Sequence, residues 1–431
     1  MNHTMPSILP CSLRQRALIV VASATLFVFA ACAGFPSASV KGGSEEYWVG
    51  TWSASPMAAD SVPIPGLNNS GFSNQTVRHI AHVSVAGNRL RVRLSNAYGR
   101  GPLKIGAAHV ALQSSAASIV SGSDRALTFN GNRSITIPAG ALVLSDPVDL
   151  EVPAFADLAV SVYFPGTTGP ITWHQLGMQT AYVSTPGDFT TAVEMPVAST
   201  ATSRFVLADV EVAAAKRIGA VVALGDSITD GYGSTADADH RWPDYLSLRL
   251  NARNAKNGMA VLNQGISGNR LLHDKFGPNS LARYDRDVLA QVGVTHIIVL
   301  EGINDIGLSG ALDLPAEEVS AEEIIGGLQQ LIERAHERRL VILGGTLTPF
   351  EGTAFPGYYT PAGELKRQAV NAWIRTKAKF DAVIDFDQAV RDPSHPTRLL
   401  PAYDSGDHLH LNDTGYKAMA ESINLKLLQG S

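Results

Sequence analysis

Two segments of the chain carry residue types that together suit nucleophilic attack assisted by a base. Gly225-Asp226-Ser227-Ile228-Thr229-Asp230-Gly231 closes an apolar run, Ala220 to Leu224. A serine at a strand-to-helix turn has its hydroxyl at a sheet edge and its own N–H near a helix N-terminus, which suits both a nucleophile and an oxyanion donor. A helix N-cap is the alternative role for a serine there. Asp407-His408-Leu409-His410-Leu411-Asn412 precedes the last helical stretch. Asp407 and His410 are three apart, so one turn lets the carboxylate hold one imidazole nitrogen while the other points at a serine. The ordinary histidine pKa of about 6.5 suits a general base at neutral pH. Asp407, His408 and His410 can also be read as a capping acid with surface histidines, or as a metal cluster. No second Asp/Glu/His set at recognisable ligand spacing accompanies them, so neither a metal nor any other cofactor is expected.

Two further segments offer hydrogen-bond donors. In Asn263-Gln264-Gly265-Ile266-Ser267-Gly268-Asn269 a glycine lets a backbone N–H approach a ligand with no side chain intervening; a tight turn is the other reading. Glu301-Gly302-Ile303-Asn304-Asp305 places a side-chain amide after another apolar run. A neutral NH2 donor stabilises a developing alkoxide without gripping the ground state, although an asparagine there could equally cap the following segment. No Gly-x-Ser-x-Gly is present, which argues against the strand–turn–helix elbow of the α/β-hydrolases.

The elements that must position these groups follow from periodicity. After Arg217, short apolar runs at Ala220 to Leu224, Ala260 to Leu262, His296 to Leu300, Leu340 to Leu343 and Ala382 to Phe386 alternate with amphipathic stretches. Those stretches are Arg241 to Leu250, Ala321 to Arg339, Gly363 to Lys379 and Thr414 to Leu428. Five near-continuous apolar strands with crossovers predict a parallel sheet covered on both faces, an α/β fold whose ligands sit beyond the carboxyl ends of the strands. From residue 47 to residue 210 the grammar is different: period-2 alternation at His79 to Val85 and Arg89 to Leu94, with further runs at Ser134 to Ile137, Leu158 to Phe164 and Ala181 to Ser184. This predicts an all-β sandwich or jelly-roll domain.

The chain has 431 residues, 45% hydrophobic and 17% charged, with a net charge of −5 and no long basic block, so neither disorder nor nucleic-acid binding is expected. Residues 1–33 hold Arg14, Arg16 and an apolar stretch from Ala17 to Ala33 without an acid, the order of an export signal. Phe29-Ala30-Ala31-Cys32 resembles a lipobox that would lipidate Cys32, whereas Ala31-Cys32-Ala33 fits a signal-peptidase site. The expected location is therefore periplasmic, outer-membrane lipoprotein or secreted, and a lipid anchor at Cys32 is the only expected membrane contact. The two cysteines, Cys11 and Cys32, both lie in this segment, so the body after it has no thiol chemistry. Residues 34–46 read as a linker, 47–210 as the β domain and 217–431 as the α/β domain.

The four segments in order resemble the SGNH (GDSL-type) hydrolases. Gly225-Asp226-Ser227, Gly268, Gly302-x-Asn304-Asp305 and Asp407-x-x-His410 match that family's blocks, with Trp242-Pro243 on the first helix. Tyr47-Trp48-Val49-Gly50-Thr51-Trp52, opening a β-rich leader, looks like a secreted bacterial subgroup of arylesterases and carbohydrate esterases. The resemblance implies a flavodoxin-like, doubly wound, five-stranded parallel sheet. It also implies a serine esterase in which Ser227 is nucleophile, His410 base and Asp407 its orienter, with Ser227, Gly268 and Asn304 forming the oxyanion hole. The expected substrate is a short-chain acyl ester, including acetyl groups on a glycan. A long-chain lipase and a non-catalytic glycan-binding lipoprotein are the alternatives. Phe355, Tyr358 and Tyr359, in the loop after the fourth run, and the stretch from His273 to Arg286 are candidate walls of the substrate site; the rings of that loop could equally pack it down.

Overall fold

The computed structural model describes residues 46–59, 61, 66–252 and 258–428. The export segment and Cys32 lie outside them. The five apolar runs become parallel strands, Ala220–Gly225, Ala260–Gly265, Val294–Leu300, Val341–Gly345 and Ala382–Ile384. Numbered along the chain, they lie in the order second, first, third, fourth, fifth, the flavodoxin-like doubly wound arrangement. Ala220, Val221, Val222, Ala223 and Leu224 are all fully buried because both faces of the sheet are covered. The fifth run ends earlier than its hydropathy predicts: Asp385 accepts the N–H of Gln388 and caps a helix, Phe386–Val390, so Phe386 leaves the strand.

The covering helices start where their caps dictate. Ser320 and Glu323 form a capping box for Ala321–Glu337, whose buried face is Ile324, Leu328, Leu331, Ile332 and Ala335. Trp242–Leu250 begins with Pro243 in its first turn and buries Trp242, Leu246 and Leu250. The last helical stretch is shorter than its pattern, Asp413–Ser422 followed by a single turn at Leu425–Leu427. No helix among the described residues is long and apolar enough to cross a membrane.

The β-rich region contributes two main antiparallel sheets. One pairs Tyr47–Ser53, Leu207–Ala214, Gly87–Ser95 and Val148–Val152 in that order, with Leu142–Leu144 added to Gly87–Ser95. The other is built around Ala181–Pro186, Gln75–His82, Asp157–Phe164 and Ala107–Ser115. Strand Leu207–Ala214 runs past residue 210, because its register with Tyr47–Ser53 continues to a Tyr47–Ala214 pair.

This region and the parallel sheet share one hydrophobic core, and the described residues form a single unit. Gly50 donates its N–H to the Val292 carbonyl at 2.9 Å, and a Cβ on Gly50 would meet Leu262 Cδ1 at 2.9 Å, so a side chain there would have to displace the Leu262 tip. Ser53 Oγ donates to the Asn263 carbonyl at 3.1 Å, and the Val261 N–H donates to Ser84 Oγ at 3.2 Å. The outer strand of the parallel sheet, Ala260–Gly265, is thus covered by the β-rich region rather than left open.

Candidate active site

The serine turn resolves as a short helix, Ser227–Asp230, capped by Asp226, whose carboxylate accepts the Ile228 N–H at 2.9 Å. The capping role therefore falls to Asp226, and Ser227 is the first helical residue with its hydroxyl free for other bonds. Ser227 Oγ lies 2.7 Å from His410 Nε2, and His410 Nδ1 lies 2.6 Å from Asp407 Oδ2. Asp407 Oδ1 also accepts the N–H groups of Leu409 at 3.0 Å and His410 at 2.8 Å. Burial pushes the Asp407 carboxyl up, but its bonds and charge attraction to His410 and those amides outweigh burial and bring it down to about 2. An ionised Asp407 holds the His410 Nδ1 proton, so Nε2 is the nitrogen that faces Ser227 as an acceptor.

The two predicted donor segments converge on the same place. Gly268 has a φ of 76°, and a Cβ there would come within 2.7 Å of the Phe276 ring, so the loop reaches the site only with glycine at this position. Asn304 is the second residue of helix Ile303–Ala311 and does not cap it, since Gly302 does. Its Nδ2 donates to the Asn269 carbonyl at 2.9 Å, and its Oδ1 accepts from the Tyr358 hydroxyl at 2.8 Å. Those two bonds set which end of the amide is NH2 and leave one N–H to donate elsewhere.

Ser227, Gly268, Asn304 and His410 line a cavity of about 280 Å³. The rest of the wall is mainly apolar: Phe276, Leu308, Ala311, Leu312, Phe355, Pro356 and Leu409, together with Tyr232 and Tyr358. The Tyr232 ring sits 4.4 Å from that of His410, and the Phe355 ring 6.2 Å from it, edge-on. Of the candidate wall residues, Phe355 and Tyr358 therefore border the cavity, and Phe276 represents the stretch from His273 to Arg286. Tyr359 does not line it; its ring packs edge-on against Phe350 at 5.0 Å, because Phe350 offers a fully buried apolar partner under the loop. Leu308, Ala311 and Leu312 escaped the sequence reading, yet they recur four, seven and eight residues after Asn304, the spacing of one helix face.

Beneath the cavity lies a buried polar cluster. Arg283, fully buried, donates to the carbonyls of Gly225 at 3.0 Å and Gln264 at 2.6 Å, to Asn269 Oδ1 at 2.8 Å and to Ser55 Oγ at 2.9 Å. It ties the ends of two parallel strands to the loop after Gly268. Asp305 accepts the N–H groups of Leu271 and Leu272 at 2.7 and 3.0 Å; burial outweighs those bonds and pushes its carboxyl up to about 6. Burial likewise pushes Asp226 up to about 7 and Glu301 well above the usual carboxylate range. His82, Asp157 and Asp239 bring ligand atoms within 4.8 Å of one another, a grouping their sequence spacing hides. His82 Nδ1 bonds Asp157 at 2.7 Å and Arg241 lies 3.6 Å from Asp239, so these groups satisfy one another as ion pairs. His408 pairs with Asp404 and stands outside the cavity lining.

Residues 223–418 match the GDSL-like Lipase/Acylhydrolase family. Among solved structures, the chain is similar to a GDSL-like lipase from Bacteroides thetaiotaomicron, at 22% identity over 48% of this chain and 87% of that one, with a TM-score of 0.36. It is also similar to Axe2, an acetylxylan esterase from Geobacillus stearothermophilus, at 22% identity over 50% of this chain and 98% of that one, with a TM-score of 0.38. No significant match to a curated protein is found.

Proposed function

We propose that the protein hydrolyses carboxylic esters through an acyl-enzyme on Ser227, a reading supported by the match of residues 223–418 to the GDSL-like Lipase/Acylhydrolase family. The observation that carries this reading is the unbroken chain of bonds from Ser227 Oγ through His410 to Asp407 at the wall of an apolar cavity. Ser227 Oγ attacks the ester carbonyl while His410 Nε2 takes the hydroxyl proton, and Asp407 stabilises the imidazolium that forms. The N–H groups of Ser227 and Gly268 and the remaining N–H of Asn304 receive the oxyanion. His410 then protonates the leaving alcohol, and water repeats the sequence on the acyl-enzyme to free Ser227.

The cavity fits a short acyl or aryl group: its walls are carbon-rich and its size is that of a small ligand site. Acetyl and other short acyl groups, including those on glycans, are the proposed substrates. The test is nitrophenyl-ester release by the purified protein across acetate, butyrate, octanoate and palmitate, with acetylated glycans in parallel. Rates should fall steeply beyond short chains and vanish after treatment with a serine-directed phosphonate. Rates that climb with chain length would instead make it a long-chain lipase, and glycan binding without turnover would make it a binding protein. Asn304→Ala removes one oxyanion donor and should cost about 10² to 10³ in kcat with little change in KM, since that bond strengthens only in the transition state; steady-state kinetics on the acetate ester checks it.

A further inference from the structure

The β-rich region sends one side chain to the hinge of the site. His174, at the end of strand Trp173–His174, is only 5% exposed. Its Nδ1 lies 3.0 Å from the Ser55 carbonyl, and its Nε2 lies 3.0 Å from Asp230 Oδ1 and 3.0 Å from the Leu176 carbonyl. With Asp230 ionised each of these partners is an acceptor, so the full set of bonds is made only when both ring nitrogens carry protons, that is, by the imidazolium. Asp230 ends the helix that Ser227 begins. Its other oxygen, Oδ2, accepts the Ser267 N–H and the Ser267 hydroxyl, both at 2.8 Å. Ser267 immediately precedes Gly268.

We propose that His174 is a positioning residue of the ester-hydrolysing site: its imidazolium holds Asp230, and Asp230 holds the Ser267 backbone so that the Gly268 N–H points at the oxyanion. The inference rests on the reading of Ser227 as an esterase nucleophile, and it assigns the β-rich region a part in that chemistry beyond packing. Asp230 lies between three things that must keep fixed relations: the nucleophile's helix, the oxyanion loop and a cation from another sheet. A buried carboxylate with one amide and one hydroxyl donor needs a compensating charge, and His174 is placed to supply it.

The charged groups facing the ring are few. Asp230 is in direct contact. Arg204, opposite His174 on the paired strand Arg204–Phe205, turns its guanidinium to the Gly177 carbonyl. Arg283 reaches the hydroxyl of the same Ser55 whose carbonyl takes Nδ1. Burial opposes the imidazolium charge, but attraction to Asp230 and the bonds to Asp230, Ser55 and Leu176 outweigh it and raise the ring's pKa above its ordinary value. A group raised in this way keeps its bonds in full below the ordinary histidine pKa and loses them as pH rises through the raised one.

The experiment combines kinetics with NMR. His174→Leu fills similar space without a donor and should lower kcat by about 10- to 100-fold with KM within about threefold, since the oxyanion contact acts in the transition state. His174→Gln, which restores N–H groups toward Asp230, should recover most of that loss; simple packing would favour Leu instead. Thr180→Val breaks a different bond between the same two parts, to Asp237, and should leave kcat unchanged. In the wild-type protein, ring nitrogen shifts at pH 7 should show His174 protonated on both nitrogens. The protection factor of the Ser267 amide, which allows for the base catalysis of exchange itself, should fall about tenfold as that proton is lost on the alkaline side, while those of the sheet amides stay constant. A folded His174→Leu with kcat within twofold of wild type, or a neutral His174 ring at pH 7, would overturn the proposal. A wild-type protein without esterase activity would overturn the reading of Ser227 alone, because ring protonation and Ser267 exchange still decide the clamp.

Discussion

Replacing Ser227 with alanine lowers kcat on a nitrophenyl acetate by about 10⁴- to 10⁶-fold, the range seen when a serine nucleophile is removed from a triad. The serine has no substitute nearby. The cavity wall holds Ser267, but its hydroxyl is committed to Asp230 Oδ2, and His410 Nε2 faces Ser227 alone. The oxyanion donors survive the change, so the small remaining rate measures what Gly268 and Asn304 contribute without covalent catalysis. His410→Ala should fall into the same range, and the double variant should be no worse than either single one, because the two act as a unit. Asp407→Asn should cost about 10⁴ by allowing the wrong imidazole tautomer. With its carboxyl held at about 2, Asp407 is ionised at every pH at which the enzyme is assayed; the stability it lends is complete above the ordinary aspartate pKa of about 4 and is lost as pH falls toward about 2. The measurement is steady-state kinetics with circular dichroism to verify folding, and wild-type turnover by Ser227→Ala would remove the acyl-enzyme mechanism.

Deleting residues 47–214 has the second largest effect: the remainder should fail to accumulate as folded protein, and no esterase activity should be recovered. The deletion strips cover from the Ala260–Gly265 strand, exposing a sheet edge and the fully buried Leu262. It also removes partners of two buried groups, Arg283 and Asp230, and of the half-buried Arg286. Arg283 loses Ser55, Arg286 loses the Tyr98 hydroxyl at 2.7 Å and the Pro56 carbonyl at 3.1 Å, and Asp230 loses His174. Of these losses the largest is at Asp230, a buried carboxylate left without its countercharge, which costs several kcal/mol. Soluble yield, thermal unfolding and activity of the truncated chain give the outcome. A soluble, fully active remainder would make the β-rich region a detachable accessory.

Much of the site was legible from the chain alone because its signals are local. A serine ending an apolar run, a glycine after the next run and an Asp-x-x-His before a helix are patterns of a few residues, and the order of strands and helices brings their loops to one sheet edge. The strands were legible as continuous apolar runs, and Asp226 could have been recognised as the cap, since it precedes the helix and its carboxylate reaches two residues on. Other features were not local. The amide of Asn304 takes its orientation from Tyr358, 54 residues away. Tyr359 carries the same aromatic signal as its neighbour but turns to Phe350 instead of the cavity.

The amino-acid sequence determined which residues are candidates for the chemistry and the grammar of the two regions, because residue type, alternation and helical spacing are written in neighbouring positions. Only the tertiary structure decided that the regions are one body and that the β-rich part reaches the site. His174 meets Asp230 across 56 residues, and Ser55 meets Arg283 across 228. No periodicity encodes such pairs. They form because two sheets with complementary faces bury charges together, and a buried charge must find its partner wherever the folded chain places one.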